Sequence, residues 1–245
     1  MFSSLAKAFG LGAPEAPVFK VPAALPKLRA VTTQELMEKA GVSAPTEVPD
    51  LARKSVSDLL SLLLNQQQDM LGATKTLAQA LPPKTGVKWA ADSARAVEAK
   101  LPPEQKEAIR AADTFHENPT AANREAAAKA SAKAGPAGPG GLAAQAASFC
   151  DVPDGPPIPG GAALVPTCVA GAVVLAASLS PPSITKMPEF KAPSVPPASA
   201  AKIPLPPAPG VPAALPLVPP NSPAAIKNAQ AFKPFLERGL VLAAS

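Results

Sequence analysis

Val56, Leu59, Leu60, Leu63 and Leu64 stand at i, i+3, i+4, i+7 and i+8, the spacing of one buried helix face. Burial of each Leu contributes roughly 1.5–3 kcal/mol, so the stripe predicts a packed helical region, opened by Asp50 or Ser55. A shorter helix precedes it. Thr32-Thr33-Gln34-Glu35 has the form of a capping box, in which a Thr hydroxyl takes an early amide and the Glu reaches back, and Gly41 supplies a left-handed stop. Helix is expected to resume from Gln66 to Leu81 after a break near Asn65, and Pro82-Pro83 ends that run by removing a donor and restricting the preceding residue. Val87, Trp89, Ala90, Ala94 and Val97 mark the next helix, with the sole tryptophan as its core anchor. Pro103 and Pro119 each suit a first helical turn, which predicts helices over residues 103–116 and 119–134.

Beyond these, the Gly/Pro-rich stretch Ala134–Gly141 reads as a loop, Leu142–Cys150 as a short helix and Asp151–Gly161 as a second loop. Ala162–Leu179 is eighteen residues without a charge. Its length suits a membrane span. Its small residues, Pro166 and the lack of a flanking Lys/Arg cluster favour a helix packed tightly inside a bundle. From Pro181 to Pro220 there are fourteen prolines in forty residues and no apolar period long enough to fold, which predicts a spacer without helix or strand. Ser222-Pro223 then caps a last helix, with Ile226, Ala229, Phe232, Leu236 and Leu240 on one face and a kink near Pro234.

The expected fold is therefore all-α: an Ala-rich helical bundle over residues 32–180, an N-terminal amphipathic segment and tether over 1–31, a Pro-rich arm over 181–221, and a C-terminal amphipathic helix over 222–245 that packs on the bundle. A pI of about 9.3 suggests nucleic acid until the charge is mapped. Residues 1–30 carry four basic and one acidic side chain, residues 31–133 thirteen of each, and residues 134–245 six and four. The excess is spread over the arms and gathers on no helix face, so nucleic acid is not an expected partner.

Little in the chain names a reaction. His116 is the one histidine, there is no tyrosine, and Cys150 and Cys168 are too far apart for a CxxC pair or a zinc site. No catalytic residue, cofactor or metal is expected, and the thiols read as buried and free, although an exported chain could pair them. The first ten residues lack the apolar core of a secretory signal, which points to the cytoplasm. Protein partners are the expectation instead. Phe2, Leu5 and Phe9 share one face of a helix too short to hold itself in water, and Pro14, Pro17, Pro22 and Pro26 turn the following stretch into a tether outside the core. Phe2, Leu5 and Phe9, with Pro204, Pro206 and Pro207 of the arm, are the candidate partner-binding residues, because extended Pro-rich chain enters grooves at low entropic cost.

The stretches Leu77–Ala90, Glu117–Ala126, Val169–Ala177 and Phe235–Ala243 resemble a small bacterial helical domain family of unknown function whose members often lie near type VI secretion genes. Two features depart from it: Lys88 stands where such members tend to carry a second aromatic, and a long Pro-rich insert replaces a short link before the last helix. The resemblance implies that the C-terminal helix returns to the bundle, and it assigns no catalytic residue. The resulting expectation is a non-enzymatic adaptor or structural accessory of a bacterial assembly related to type VI secretion. The alternatives are a membrane-associated component that uses residues 162–179, and a secreted effector.

Overall fold

The computed structural model describes residues 16–29, 32–41, 54–180 and 223–245, and of Pro223 and Ala224 it describes only the backbone. Among these residues every regular element is helical and no strand occurs, so the fold is all-α. The α-helices are α1 (Thr33–Ala40), α2 (Val56–Ser61), α3 (Met70–Ala80), α4 (Pro83–Ala96), α5 (Pro103–Glu117), α6 (Ala121–Ala134), α7 (Pro139–Ser148), α8 (Gly161–Leu179) and α9 (Pro223–Ala244). A π-helical turn, Leu62–Gln67, continues α2, and a 3₁₀ turn, Glu98–Lys100, follows α4.

Most boundaries follow from local chemistry. Thr32 caps α1 by accepting from Glu35 N–H, and Gly41 closes it at φ +62°. The box expected there is only half formed, because the Glu35 carboxylate pairs with Lys39 at 2.6 Å instead of reaching back. The complete box is at Ser55, whose hydroxyl accepts from Asp58 N–H at 3.1 Å while Asp58 accepts from Ser55 N–H at 3.2 Å. The break foreseen near Asn65 falls three residues later, at Gln68, which adopts a left-handed φ of +54° before Asp69 caps α3. Pro83, read only as part of the stop of the preceding run, opens α4, and Pro103 is a first-turn proline as expected. Pro119 is not. It precedes Thr120, whose hydroxyl caps α6 by accepting from Asn123 N–H. Helix α7 begins at Pro139, three residues before the expected start, with Gly140 and Gly141 inside its first turn. Those glycines are tolerated because that turn lies against Gln105: a Cβ on Gly140 would strike the Gln105 backbone. The buried Gln105 amide also donates to Ala134 O at 2.9 Å and accepts from Gly141 N–H at 2.7 Å, joining α5, the end of α6 and the start of α7.

Small residues set the packing. Ala143, Ala144, Ala146 and Ala147 of α7 are fully buried, and α7 touches α4, α5, α6 and α8. Short side chains let helix axes approach closely, so an alanine helix can sit at the centre of five. Helix α8 is long and apolar enough to cross a bilayer, yet Val165, Val169, Val173 and Ala176 are buried against α3, α4, α7 and α9. Trp89 is the largest fully buried side chain, and its Nε1–H donates to Phe235 O of α9 at 2.8 Å. A Cβ on Gly239 would come within 2.7 Å of the indole and 2.8 Å of Leu77, so glycine there is what lets α9 lie flat on α3 and α4. The C-terminal helix thus returns to the bundle, with Ile226, Ala229, Phe232, Phe235, Leu236 and Leu240 turned inward.

One expectation is overturned. The stretch from Ala16 to Arg29, read as a tether outside the core, is non-helical, with a turn at Leu25–Leu28, but packs along the bundle, with Phe19 only 2 % exposed. Proline removes amide donors, and that alone does not prevent an extended chain from burying alternate side chains.

Candidate functional site

The packed N-terminal stretch, here called the strap, lies in a surface groove of the bundle. Its floor is made by α2, the π-helical turn and α9. Widening of the helix at Leu62–Gln67 brings Asn65 to the strap, where Oδ1 accepts from Phe19 N–H at 2.8 Å and Nδ2 donates to Phe19 O at 3.0 Å. One side-chain amide therefore pairs with both backbone groups of one residue, as a neighbouring strand would. Lys233 of α9 lies 5.1 Å from the centre of the Phe19 ring and donates to Val18 O at 2.9 Å. Lys233 is also ion-paired with Glu237. Farther along, Ser57 donates to Pro22 O, Lys27 N–H donates to Ala243 O at 3.1 Å, and Arg29 N–H donates to Ala80 O at 2.8 Å. Val21, Leu25 and Leu28 rest half-buried on the core while Val18 is 73 % exposed. The groove reads backbone, one buried ring and a few apolar contacts.

A charged cluster lies elsewhere on the α4–α9 junction. Asp92 receives Lys88 at 2.8 Å and both Nε and Nη2 of Arg238 at 3.0 and 2.9 Å, and Asp113 pairs with Arg95. Lys88 is thereby a partner of Asp92. Burial opposes ionisation of Asp92, but the hydrogen bonds from Lys88 and Arg238 outweigh it and hold its carboxyl below the ordinary value. A depressed folded pKa means that the contribution is complete above the unfolded value near 3.9 and is lost as pH falls through the lower folded value. Asp92→Asn is expected to cost about 1–3 kcal/mol at pH 7 and to flatten the loss of stability below about pH 4, as read by thermal melts across pH.

The remaining features lack convergent chemistry. Leu71, 47 % exposed, and Val174 line both a cavity of about 400 Å³ that reaches Lys39 and one of about 670 Å³ that reaches Lys227 and Phe232. A third cavity, about 330 Å³, contains Phe115, Phe149 and Cys150. Cys150 and Cys168 are buried free thiols, pushed by that burial up to about 12 and about 11, so neither is a ready nucleophile. His116 is partly buried, which lowers its pKa, with Nδ1 3.1 Å from Lys84 O. Among the described residues no three His, Cys, Asp or Glu side chains gather as a metal site would require. Phe2, Leu5, Phe9, Pro204, Pro206 and Pro207 lie outside the described residues.

Residues 61–190 match a family described as "Family of unknown function (DUF6931)". The chain belongs to DUF6931. Comparison with curated proteins and with solved structures gives no match. The DUF6931 match takes in the helical bundle from the π-helical turn through α8, and so contributes Asn65 to the groove, whereas the strap, Ser57 and α9 fall outside the matched residues. The groove is thus completed by chain on both sides of the DUF6931 region.

Proposed function

We propose that this DUF6931 protein is a non-enzymatic adaptor or structural accessory of a bacterial multiprotein assembly, acting in the cytoplasm through its N-terminal and Pro-rich segments. The observation that carries this reading is the strap: the bundle holds fourteen residues of proline-bearing, non-helical chain by the paired hydrogen bonds of the Asn65 side chain to the Phe19 backbone and by the buried Phe19 ring. A scaffold able to do this is suited to extended-peptide contacts, and the further Pro-rich chain it carries is suited to a partner's grooves. The sequence resemblance to a family found near type VI secretion genes makes that apparatus the proposed assembly.

The test is co-purification from the native host with mass spectrometry. Removal of residues 1–12 leaves the whole strap in place, so stability is expected to stay within about 0.5 kcal/mol of the intact chain, while the partner is lost with Phe2, Leu5 and Phe9. Unchanged capture by the truncated chain refutes a docking role for that segment, and Pro204→Ala, Pro206→Ala and Pro207→Ala test the arm in the same way. A membrane role for residues 162–179 has the length of α8 in its favour, but Val165, Val169 and Val173 are buried in the bundle. Preparation of the intact chain without detergent counts against it.

A further inference from the structure

The strap sequence occurs again in the Pro-rich arm. Pro17-Val18-Phe19-Lys20-Val21-Pro22 is matched by Pro188-Glu189-Phe190-Lys191-Ala192-Pro193, and Val21-Pro22-Ala23-Ala24-Leu25-Pro26 recurs unchanged as Val211-Pro212-Ala213-Ala214-Leu215-Pro216. In the first pair the shared positions are the buried ring, the two flanking prolines and the lysine. The differences fall where the groove makes least demand. Val18 is exposed and contributes its carbonyl, and Val21 is only half-buried. Asn65 reads the Phe backbone and any residue sequence preserves it. Glu in place of Val18 would bring a carboxylate to Lys233, whose ammonium already reaches that carbonyl.

We propose that the groove of Asn65 and Lys233 is a recognition site for Pro-x-Phe-Lys-(small)-Pro chain, and that residues 188–193 of the same molecule are its second occupant, exchanging with residues 17–22. The same molecule is favoured by where the arm starts. Ser180 lines one cavity with Pro234 and Phe235 and another with Phe232, the α9 residues on either side of Lys233. Phe190 stands ten steps beyond Ser180, a stretch that spans up to about 33–36 Å and is long enough to return to its own α9. A tethered segment at such range competes at high effective concentration with any supplied from solution. The exchange is a property of this chain alone and goes beyond the adaptor reading.

Two experiments on the full chain decide it. In the first, a zero-length carbodiimide joins contacting carboxylates and amines, and mass spectrometry looks for the Glu189–Lys233 link. With Phe19→Ala, which weakens the strap, the link is expected in the monomer band, and adding Phe190→Ala removes it. No link in Phe19→Ala chains that melt cooperatively overturns the proposal, and a link found only in a dimer band overturns the same-molecule assignment in favour of a second copy. In the second, Val18→Glu with Val21→Ala writes the arm's motif into the strap and needs no weakened variant. If the groove accepts that motif, Tm stays within about 4 °C of the parent, the shift that one half-buried Val→Ala produces in a domain of this size. Loss of cooperative folding in the double variant overturns the recognition rule. Neither outcome depends on whether a cellular partner is found.

Discussion

Trp89→Ala is expected to lower stability by about 3–5 kcal/mol, the range for removing a buried large aromatic, and a domain with only about 5–15 kcal/mol in total would be left near its threshold. The cost has three parts that act at one place. The indole is 0 % exposed, so its removal leaves a cavity between α3, α4 and α9. Its Nε1–H donates to Phe235 O, a buried hydrogen bond that the substitution removes. Finally, Gly239 was shaped by the ring: with the ring gone, α9 has a smooth face and nothing to seat it on. Chemical denaturation followed by far-ultraviolet circular dichroism measures this directly. Trp89→Phe should recover most of the packing and lack only the indole hydrogen bond to Phe235 O, at about 0.5–1.5 kcal/mol. A Trp89→Ala chain that melts like the parent would contradict the seating of α9 described above.

Those parts of the fold whose causes are local were legible in the sequence. A capping hydroxyl three residues before an amide, a proline in a first turn and a leucine stripe act within one or two turns, and α1 and α5 begin where such signals place them. Helix α7 was not legible at its start, because Gly140 and Gly141 are breakers by propensity and become acceptable only where Gln105, more than thirty residues away, crowds the first and accepts from the second. Pro119 misled for a related reason: Asn118 closes the preceding helix, and the Thr120 hydroxyl is the better cap.

The groove was hidden by distance and by composition. Asn65 is forty-six residues from Phe19, and nothing in either neighbourhood announces that an amide will serve as a strand edge. Four prolines between Pro14 and Pro26 read as exclusion from the core, yet the strap needs few donors of its own: Phe19, Lys27 and Arg29 donate, and Pro22 contributes its carbonyl. One signal was present. The hexapeptide Val21–Pro26 appears twice, and a proline-rich stretch repeated in an arm is more informative than its proline content.

Phe19→Ala should be the second most damaging substitution, and how the damage is distributed separates a strap from a core element. The Phe→Ala range in a rigid core is about 3–5 kcal/mol, but a strap can leave its site as a unit, so the loss cannot exceed what strap docking contributes and is expected near the lower figure, about 3 kcal/mol. Asn65→Ala removes both hydrogen bonds to Phe19 while leaving the ring in place, and is expected to cost about 1–3 kcal/mol. Hydrogen exchange locates the effect. In Phe19→Ala the amides of residue 19, Lys27 and Arg29, which donate to Asn65, Ala243 and Ala80, should lose protection first. Amides in α4 and α7, buried beneath other helices, should change only by the global shift. Trp89 is the only tryptophan and there is no tyrosine, so intrinsic fluorescence reports on the α9 seat alone and should remain that of the folded parent while the strap is free. A red-shifted Trp89 at temperatures where α4 and α7 stay protected would mean that the strap, and not the indole, is what keeps α9 on the bundle.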